Sequence, residues 1–358
     1  MIVLGIESSC DETAAALVRD GHEVLSNVIS SQISKHAQFG GVVPELAARE
    51  HLKNVSPVVN ASLGEAGVKL QDISAVAVTS RPGLVPALLV GNAYAKGLAA
   101  ALGVPIVGMN HFLGHIYGSF IEHPEILADA GSFPILALVV SGGHTALVLI
   151  PADGKASILG STLDDAAGEA LDKAAKVLGL GYPGGPIIDR LSKTGNPDAF
   201  AFPRSLTGRA GKAVKPEHRF DFSFSGVKTS LLYAIKDDET VIETRLNDLS
   251  ASFQEAVIDV LAMKAADAAR AHKAKLICLC GGVACNSRLR EKIAKTCEKC
   301  RIGFLPAPPK YCTDNAAMIG GLAWHFLKNG MAPIEEFGIN ARLDVNLGTL
   351  PFAPFAQP

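Results

Sequence analysis

Aromatic residues are scarce in this chain of 358 residues, at 6% with a single Trp. That scarcity argues against a base-stacking platform for single-stranded nucleic acid. Neither sign of charge is in excess: 33 Lys and Arg face 35 Asp and Glu, for a net charge of -2. The chain as a whole is therefore not a basic nucleic-acid binder, and any RNA contact must use a local patch or a partner. The phosphate loops with the strongest signatures, Walker A and the Rossmann GxGxxG, are both missing. Cysteine is limited to seven residues, an odd number. Cys297-x-x-Cys300 has no second CxxC to complete a tetrahedral zinc site, and a reduced cytoplasm fits this usage best. The chain opens on a strand pattern without a basic n-region or a small-residue cleavage site, so no signal peptide is expected. Its longest apolar stretch, Leu84 to Val107, is interrupted by Lys96 and several glycines. It reads as a buried helix rather than a membrane span.

What is present is an apolar, glycine-rich sequence, 48% hydrophobic with 35 Gly and a mean hydropathy of +0.27. It is too long for one ordinary core and long enough for two domains. Ile2 to Ile6 is an apolar run, Glu7 to Glu12 a polar turn, and Thr13 to Val18 apolar again, which is a hairpin pattern. The pattern returns at Ile135 to Val140, Ser141-Gly142-Gly143-His144 and Thr145 to Ile150. Each hairpin is followed later by a strand, a helix and a strand: Ala75 to Thr79, Val85 to Leu102 and Pro105 to Val107, then Lys275 to Leu279, Asn286 to Lys299 and Ile302 to Leu305. The matching order predicts an internally duplicated α/β protein. Its N-terminal half covers residues 1–120, joined by a C-terminal helix near 316–345, and its C-terminal half covers 121–315. In this scheme the helices starting near Asn110 and near Asp314 occupy equivalent places.

His111 and His115 stand four residues apart just after a strand, so a helix would stack their imidazoles on one face. The spacing suits a metal, and it also suits ordinary core or surface histidines. Asn110, Thr313 and Asp314 are equally sound helix caps. Turns of small residues at Glu7 to Thr13, and Gly-Gly turns at Ser141 to Thr145 and Gly281 to Asn286, could let phosphates approach backbone amides. Asp165, Glu169 and Asp172 fall near one face of a predicted helix, with a solvated face as the plain alternative. The Pro-Gly-Gly-Pro run before Asp189 makes a close-approach backbone with an acid behind it. From Arg204 to Arg219 the chain carries Arg204, Arg209, Lys212, Lys215 and Arg219 against Glu217 alone. Such a loop could track phosphates or simply be solvated.

Taken in order, the two hairpin turns, Asn110-His111 to His115, Tyr182 to Pro186, Phe222 to Thr229, Gly281 to Asn286 and Cys312 to Met318 closely resemble the bacterial TsaD (formerly Gcp) family. The resemblance runs from residue 1 to about residue 342. It implies a duplicated actin/Hsp70/sugar-kinase-like, ribonuclease H-like fold, with two domains around a central cleft. It implies transfer of the threonylcarbamoyl group from L-threonylcarbamoyladenylate to the N6 amine of the adenosine 3′ to the anticodon, in tRNAs reading ANN codons, with release of AMP. It further implies that His111, His115 and Asp314 hold one divalent metal per subunit, Fe2+ in the family's usual description, with Zn2+ or Mg2+ as alternatives. Val139, Val140, Ser141, Gly142 and Gly143 would meet the adenylate phosphate region. Asp172, Gly185 and Asp189 would bind the nucleotide sugar or acyl part, and Asn286 the adenine side. Asp11 and Glu12 are candidates for positioning water, metal or the incoming amine, with turn capping as an equal explanation. The implied partners are tRNA, TsaB-like and TsaE-like proteins and an upstream enzyme that makes the adenylate. The stretch Thr207 to His218 is longer and more basic than in many members.

Three other readings compete. A zinc protease of the HExxH type needs Glu beside its first His as general base, and position 112 is Phe. A sugar or carboxylate kinase shares the implied fold, but such kinases hold Mg2+ through nucleotide and carboxylates rather than two imidazoles. A nucleotide-gated scaffold would not need His111 at all.

Overall fold

A computed structural model describes residues 1–208, 214–238, 240–331, 338–342 and 346–356. Arg209 and Lys212 of the basic stretch lie outside these residues. The chain divides into two compact units: Met1–Ala130 with Pro151–Ala156 and Lys310–Pro358, and Gly131–Ile150 with Ser157–Pro309. The helices used below are, in chain order, α1 (Pro44–Ala66), α2 (Val85–Leu102), α3 (His111–Gly118), α4 (Ala167–Val177), α5 (Gly184–Ser192), α6 (Val241–Ala271), α7 (Ser287–Cys300) and α8 (Ala317–Lys328).

The first unit is built on β1 (Ile2–Glu7), β2 (Glu12–Arg19), β3 (Glu23–Ser31), β4 (Ala75–Arg81) and β5 (Ile106–Asn110), in the order β3-β2-β1-β4-β5. The polar turn between β1 and β2 closes an antiparallel pair with Glu7 opposite Ala14, while β4 runs parallel to β1 and to β5. β1 reads as a nearly unbroken apolar run because both of its faces are covered. Leu4, Ile6, Leu17, Val76 and Val78 pack against Val55, Val59 and Leu63 of α1 and Ala95 and Ala99 of α2. Each such side chain contributes roughly 1.5–3 kcal/mol when fully buried. α2 turns its small residues Ala87, Gly91, Ala95 and Ala99 inward. Its other face is open, with Leu89 54% exposed, so the expected buried helix is buried on one side only. Among the described residues, α2 is the one helix long and apolar enough to cross a membrane.

The second unit repeats this plan with β6 (Ile135–Val140), β7 (Thr145–Ile150), β8 (Lys155–Ser161), β9 (Leu276–Cys280) and β10 (Gly303–Pro306). Its strands run β10-β9-β6-β7-β8, with antiparallel pairing within β6-β7-β8 and parallel pairing within β6-β9-β10. The duplication read from the two hairpins is thus a repeat of strand order and strand direction. α7 crosses from β9 to β10 as α2 crosses from β4 to β5. The repeat ends after β10. Lys310 onward belongs to the first unit, so Asp314, within the 121–315 span expected for the second half, lies in the first unit.

Close packing explains that return. α8 lies on β1, where a Cβ at Gly5 would stand 2.3 Å from Ala316 O and 2.8 Å from Gly320 N. α8 also meets α3, where a Cβ at Gly114 would stand 2.9 Å from the end of Ile319 and 3.2 Å from Met318 Cγ. Gly5→Ala sets a methyl against backbone that cannot yield, and we expect it to lower stability by about 1–3 kcal/mol in urea unfolding. Gly64→Ala, in α1 with nothing within 4 Å of the added methyl, should instead stabilise by up to about 1 kcal/mol. Equal midpoints for the two variants would contradict this packing.

Candidate metal centre and glycine loops

Asn110 ends β5, and its side chain accepts a hydrogen bond from Leu113 N at 3.2 Å, capping α3. That cap starts a helix in which His111 and His115 follow one another on one face, with ring centroids 4.6 Å apart and planes at 81°. Just before α8, whose cap position is Ala316, the Asn315 side chain accepts from Met318 N at 3.0 Å. The Asp314 carboxylate is turned to the histidines, with Oδ1 3.4 Å from His111 Nε2 and 3.2 Å from His115 Nε2. One donor atom from each of the three residues lies within 4.8 Å of the others.

Behind His111 stands Glu7, a residue that sequence reasoning gave no role. Its Oε2 is 2.9 Å from His111 Nδ1 and accepts from Thr79 Oγ1 at 2.6 Å, while Oε1 accepts from Ser9 N at 2.5 Å. The available signal was a carboxylate ending an apolar strand, since a fully buried acid must find partners. Burial alone would raise the Glu7 carboxyl, but the charge and hydrogen bond of His111 hold it below the usual range. Burial alone would depress His111, yet the Asp314 and Glu7 carboxylates lift it to about 9. Asp11 and Glu12 sit in the same electrostatic neighbourhood. Burial, then the charges of Asp314 and Asp11, push the Glu12 carboxyl up to about 10. Asp11 is buried and its carbonyl accepts from Gln32 N. Glu12 accepts from Ser31 Oγ at 3.1 Å.

In the second unit, Val139 and Val140 are fully buried in β6, so they could meet a ligand only through backbone. Ser141 O accepts from Gly168 N at 3.3 Å, and Thr145 Oγ1 accepts from Ala167 N at 2.8 Å, so this turn holds the first turn of α4. A Cβ on Gly168 would meet Ser141 O at 2.6 Å, and one on Gly281 would meet Val140 O at 2.4 Å. A Cβ added at Gly142, Gly143 or Gly282 would meet no described atom within 4 Å. Asp172 Oδ1 accepts from Gly184 N at 2.7 Å and Gly185 N at 3.3 Å, joining two of the predicted residues directly. Asp189 Oδ1 accepts from Ser287 Oγ at 2.9 Å. The neighbouring Asn286 caps α7 through Leu289 N at 3.0 Å and donates to Gln254 Oε1 at 2.7 Å. α4 begins at Ala167, so Asp165 precedes the helix on which it was expected. Asp164 is drawn away to Ser223, Phe224 and Ser225, from which it accepts four hydrogen bonds.

The described arginines of the basic stretch are engaged. Arg204 pairs with Asp259 at 3.0 Å, and Arg219 holds both oxygens of Asp267 at 2.8 Å. Lys215 is exposed. The seven cysteines are free thiols, and burial with the nearby Cys300 thiol pushes Cys297 up to about 12, far from a reactive thiolate.

Comparison with known proteins decides the family. The sequence profile of TsaD, described as tRNA N6-adenosine threonylcarbamoyltransferase, matches residues 23–321. A protein of that name from Clostridium perfringens is 50% identical over 348 residues, which cover 97% of this chain and 98% of that one. Proteins of the same name from Geotalea uraniireducens and Moorella thermoacetica are 50% and 49% identical over 342 and 347 residues, at 95% and 96% of this chain and 95% and 97% of theirs. The chain belongs to the TsaD family. Among solved structures it is similar to HypF from T. kodakarensis, with a TM-score of 0.57, 15% identity, and coverage of 93% of this chain and 48% of that one. It is also similar to component A of the Acidaminococcus fermentans (R)-2-hydroxyglutaryl-CoA dehydratase, with a TM-score of 0.53, 15% identity, and coverage of 90% and 98%. These likenesses bear on fold alone, and the fold is the duplicated actin/Hsp70/sugar-kinase-like one. The TsaD family's reaction is tRNA threonylcarbamoylation, and membership makes this chain a transferase.

The residues of this TsaD-family chain fit a metal ion. His115 is 1% exposed, and among the described residues its ring nitrogens make no hydrogen bond, the 3.2 Å approach of Asp314 Oδ1 to Nε2 being a charge contact only. A buried orphan of that kind costs about 1–3 kcal/mol. Two atoms that each lie about 2.1 Å from a tetrahedral ion stand roughly 3.4 Å apart, close to the separations between Asp314 and the two imidazoles. The Glu7 contact fits as well, because a ligating histidine commonly donates its other N–H to a carboxylate.

Two predictions follow from this geometry. Glu7→Gln keeps every ligand but should weaken divalent-metal binding by about 10- to 100-fold in calorimetric titration, and His115→Ala should abolish it. Unchanged affinity in Glu7→Gln would remove Glu7 from the site. The metal-free His111 holds its proton until about pH 9, and only the neutral ring can ligate. Metal affinity should therefore rise with pH, by about tenfold per unit while one proton is displaced, and level off near His111's own value. A flat profile between pH 6 and 8.5 would show that His111 is not a ligand.

Proposed function

We propose that the chain transfers the threonylcarbamoyl group from L-threonylcarbamoyladenylate to the N6 amine of the adenosine 3′ to the anticodon, in tRNAs reading ANN codons, and releases AMP. The observation that carries the reading is the three-donor centre His111, His115 and Asp314 in a chain that belongs to the TsaD family over most of its length. The metal is Fe2+: two imidazoles and one carboxylate with open positions suit ferrous iron, whereas Mg2+ prefers oxygen ligands and Zn2+ remains the closer competitor. When bound, the ion supplies a Lewis acid that stabilises charge developing on the carbamate oxygen, worth several kcal/mol.

The protein's own residues account for the remaining tasks. Glu7 holds the Nδ1 proton of His111, so Nε2 is the atom offered to the metal. The acyl group arrives activated as a mixed anhydride, so no protein nucleophile is required and orientation of the amine supplies much of the rate. Asp11 and Glu12 take that positioning role. Ser141, Gly142 and Gly143, with the backbone of Val139 and Val140, receive the adenylate phosphate, supported by the open space around both glycines. Asp172 holds the Gly184–Gly185 backbone in the form that, with Asp189, meets the sugar or acyl part, and Asn286 borders the adenine. The reaction runs in the cytoplasm with TsaB-like and TsaE-like partners and an upstream enzyme that makes the adenylate.

Purified chain, threonylcarbamoyladenylate, tRNA and the partners should yield the modified nucleoside in mass spectrometry of digested tRNA. His115→Ala should reduce the yield at least 100-fold. No product with the wild-type chain would refute the assignment, and full product with His115→Ala would refute the role of the metal.

A further inference from the structure

Far in sequence from the first unit's candidate metal centre, the second unit holds a groove of about 640 Å³ lined by α6, α7 and the described residues Leu206, Thr207, Val214 and Arg219. Its floor is apolar, with Leu206, Ala262 and Met263, and among the described residues no aromatic side chain lines it. Its rim is cationic: Arg219, Arg270, Lys292, Lys295 and Lys299 face Asp259 and Asp267. Beneath them Lys264, 4% exposed, donates to the carbonyls of His218 and Arg219 and ties that segment to α6.

Not all of this charge is available to a ligand. Arg219 is held by Asp267, and Lys292 by Glu255 and Asp259. Lys295 makes an exposed pair with Glu291, the kind worth at most about 1 kcal/mol and readily exchanged. Arg270 and Lys299 are exposed and have no ion pair among the described residues. Lys292, Lys295 and Lys299 follow at i, i+3 and i+7 along one face of α7 and span roughly 10 Å. A line of cations above an apolar floor suits a sugar–phosphate chain, whose charges repeat along its length. An acidic peptide would need an anchoring pocket for a large side chain, and no aromatic group lines one here. The net charge of -2 requires any RNA contact to be local in this way.

We propose that this groove binds a phosphodiester backbone, that of the tRNA in the proposed reaction. The inference rests on that reading for the identity of the RNA. The test measures tRNA affinity of the full chain by fluorescence anisotropy from 50 to 300 mM salt, alongside nucleoside formation with the partners present. The triple variant Arg270→Glu, Lys295→Glu, Lys299→Glu alters exposed side chains only. It should bind tRNA at least tenfold more weakly, and its plot of log affinity against log salt should be shallower by about 2–3. Lys69→Glu with Lys96→Glu, equally exposed in the first unit, should change neither. Wild-type product together with unchanged affinity and slope in the triple variant overturns the groove and leaves the proposed function standing. No wild-type product together with a lost slope overturns the proposed function and leaves the groove as an RNA surface. A triple variant that keeps tRNA but no longer binds poly-glutamate overturns the inference in favour of an acidic protein.

Discussion

The first unit turns on one buried contact, the 2.9 Å approach of Glu7 to His111. A carboxylate with no solvent exposure costs several kcal/mol to bury unless it is paired and hydrogen-bonded. Glu7 meets that cost by gathering partners from three segments: Ser9 in the turn after β1, Thr79 in β4, and His111 at the start of α3. The same contact fixes which nitrogen of His111 faces Asp314. The burial cost and the orientation of the ring therefore reside in one pair. The acid that anchors the strand end is the acid that orients the ring.

That pair would have nothing to face without the return of the chain near residue 310. Asp314 is some 200 residues from the histidines in sequence and reaches them because α8 can lie almost in van der Waals contact with β1 and α3. Gly5, Gly114 and Gly320 supply the missing side chains that permit it. Asn315 ties down the start of the helix by accepting from Met318 N. One residue earlier, the Asp314 carboxylate stands 3.4 Å from His111 Nε2 and 3.2 Å from His115 Nε2.

Much of this was legible because it rests on local pattern. Alternating apolar runs with polar turns between them announced both hairpins, and strand-helix-strand crossovers followed from apolar periodicity and glycine turns. The pairing of His111 with His115 is a property of helical spacing alone. What escaped was set by contacts distant in sequence. Nothing near Glu7 declares a histidine 104 positions away as its partner. Asp165 carries helix-like spacing with Glu169 and Asp172, but the amides and hydroxyls at 223–225 capture its neighbour Asp164 and the helix begins only at Ala167. Arg204 and Arg219 read as free basic charge until α6 brings Asp259 and Asp267 beside them.

The glycines of the second unit separate two reasons for having no side chain. At Gly168 and Gly281 an added methyl would strike backbone within 2.6 Å, so the fold itself requires them. At Gly142, Gly143 and Gly282 an added methyl would meet no described atom within 4 Å, and none of the three is among the residues with positive φ. Glycine is not free, since it loses more backbone entropy on folding than any other residue, at roughly 0.5–1 kcal/mol relative to Ala in regular structure. In the proposed reaction, the turns that follow β6 and β9 are where that cost would be offset, by a phosphate approaching backbone amides that side chains would otherwise shield.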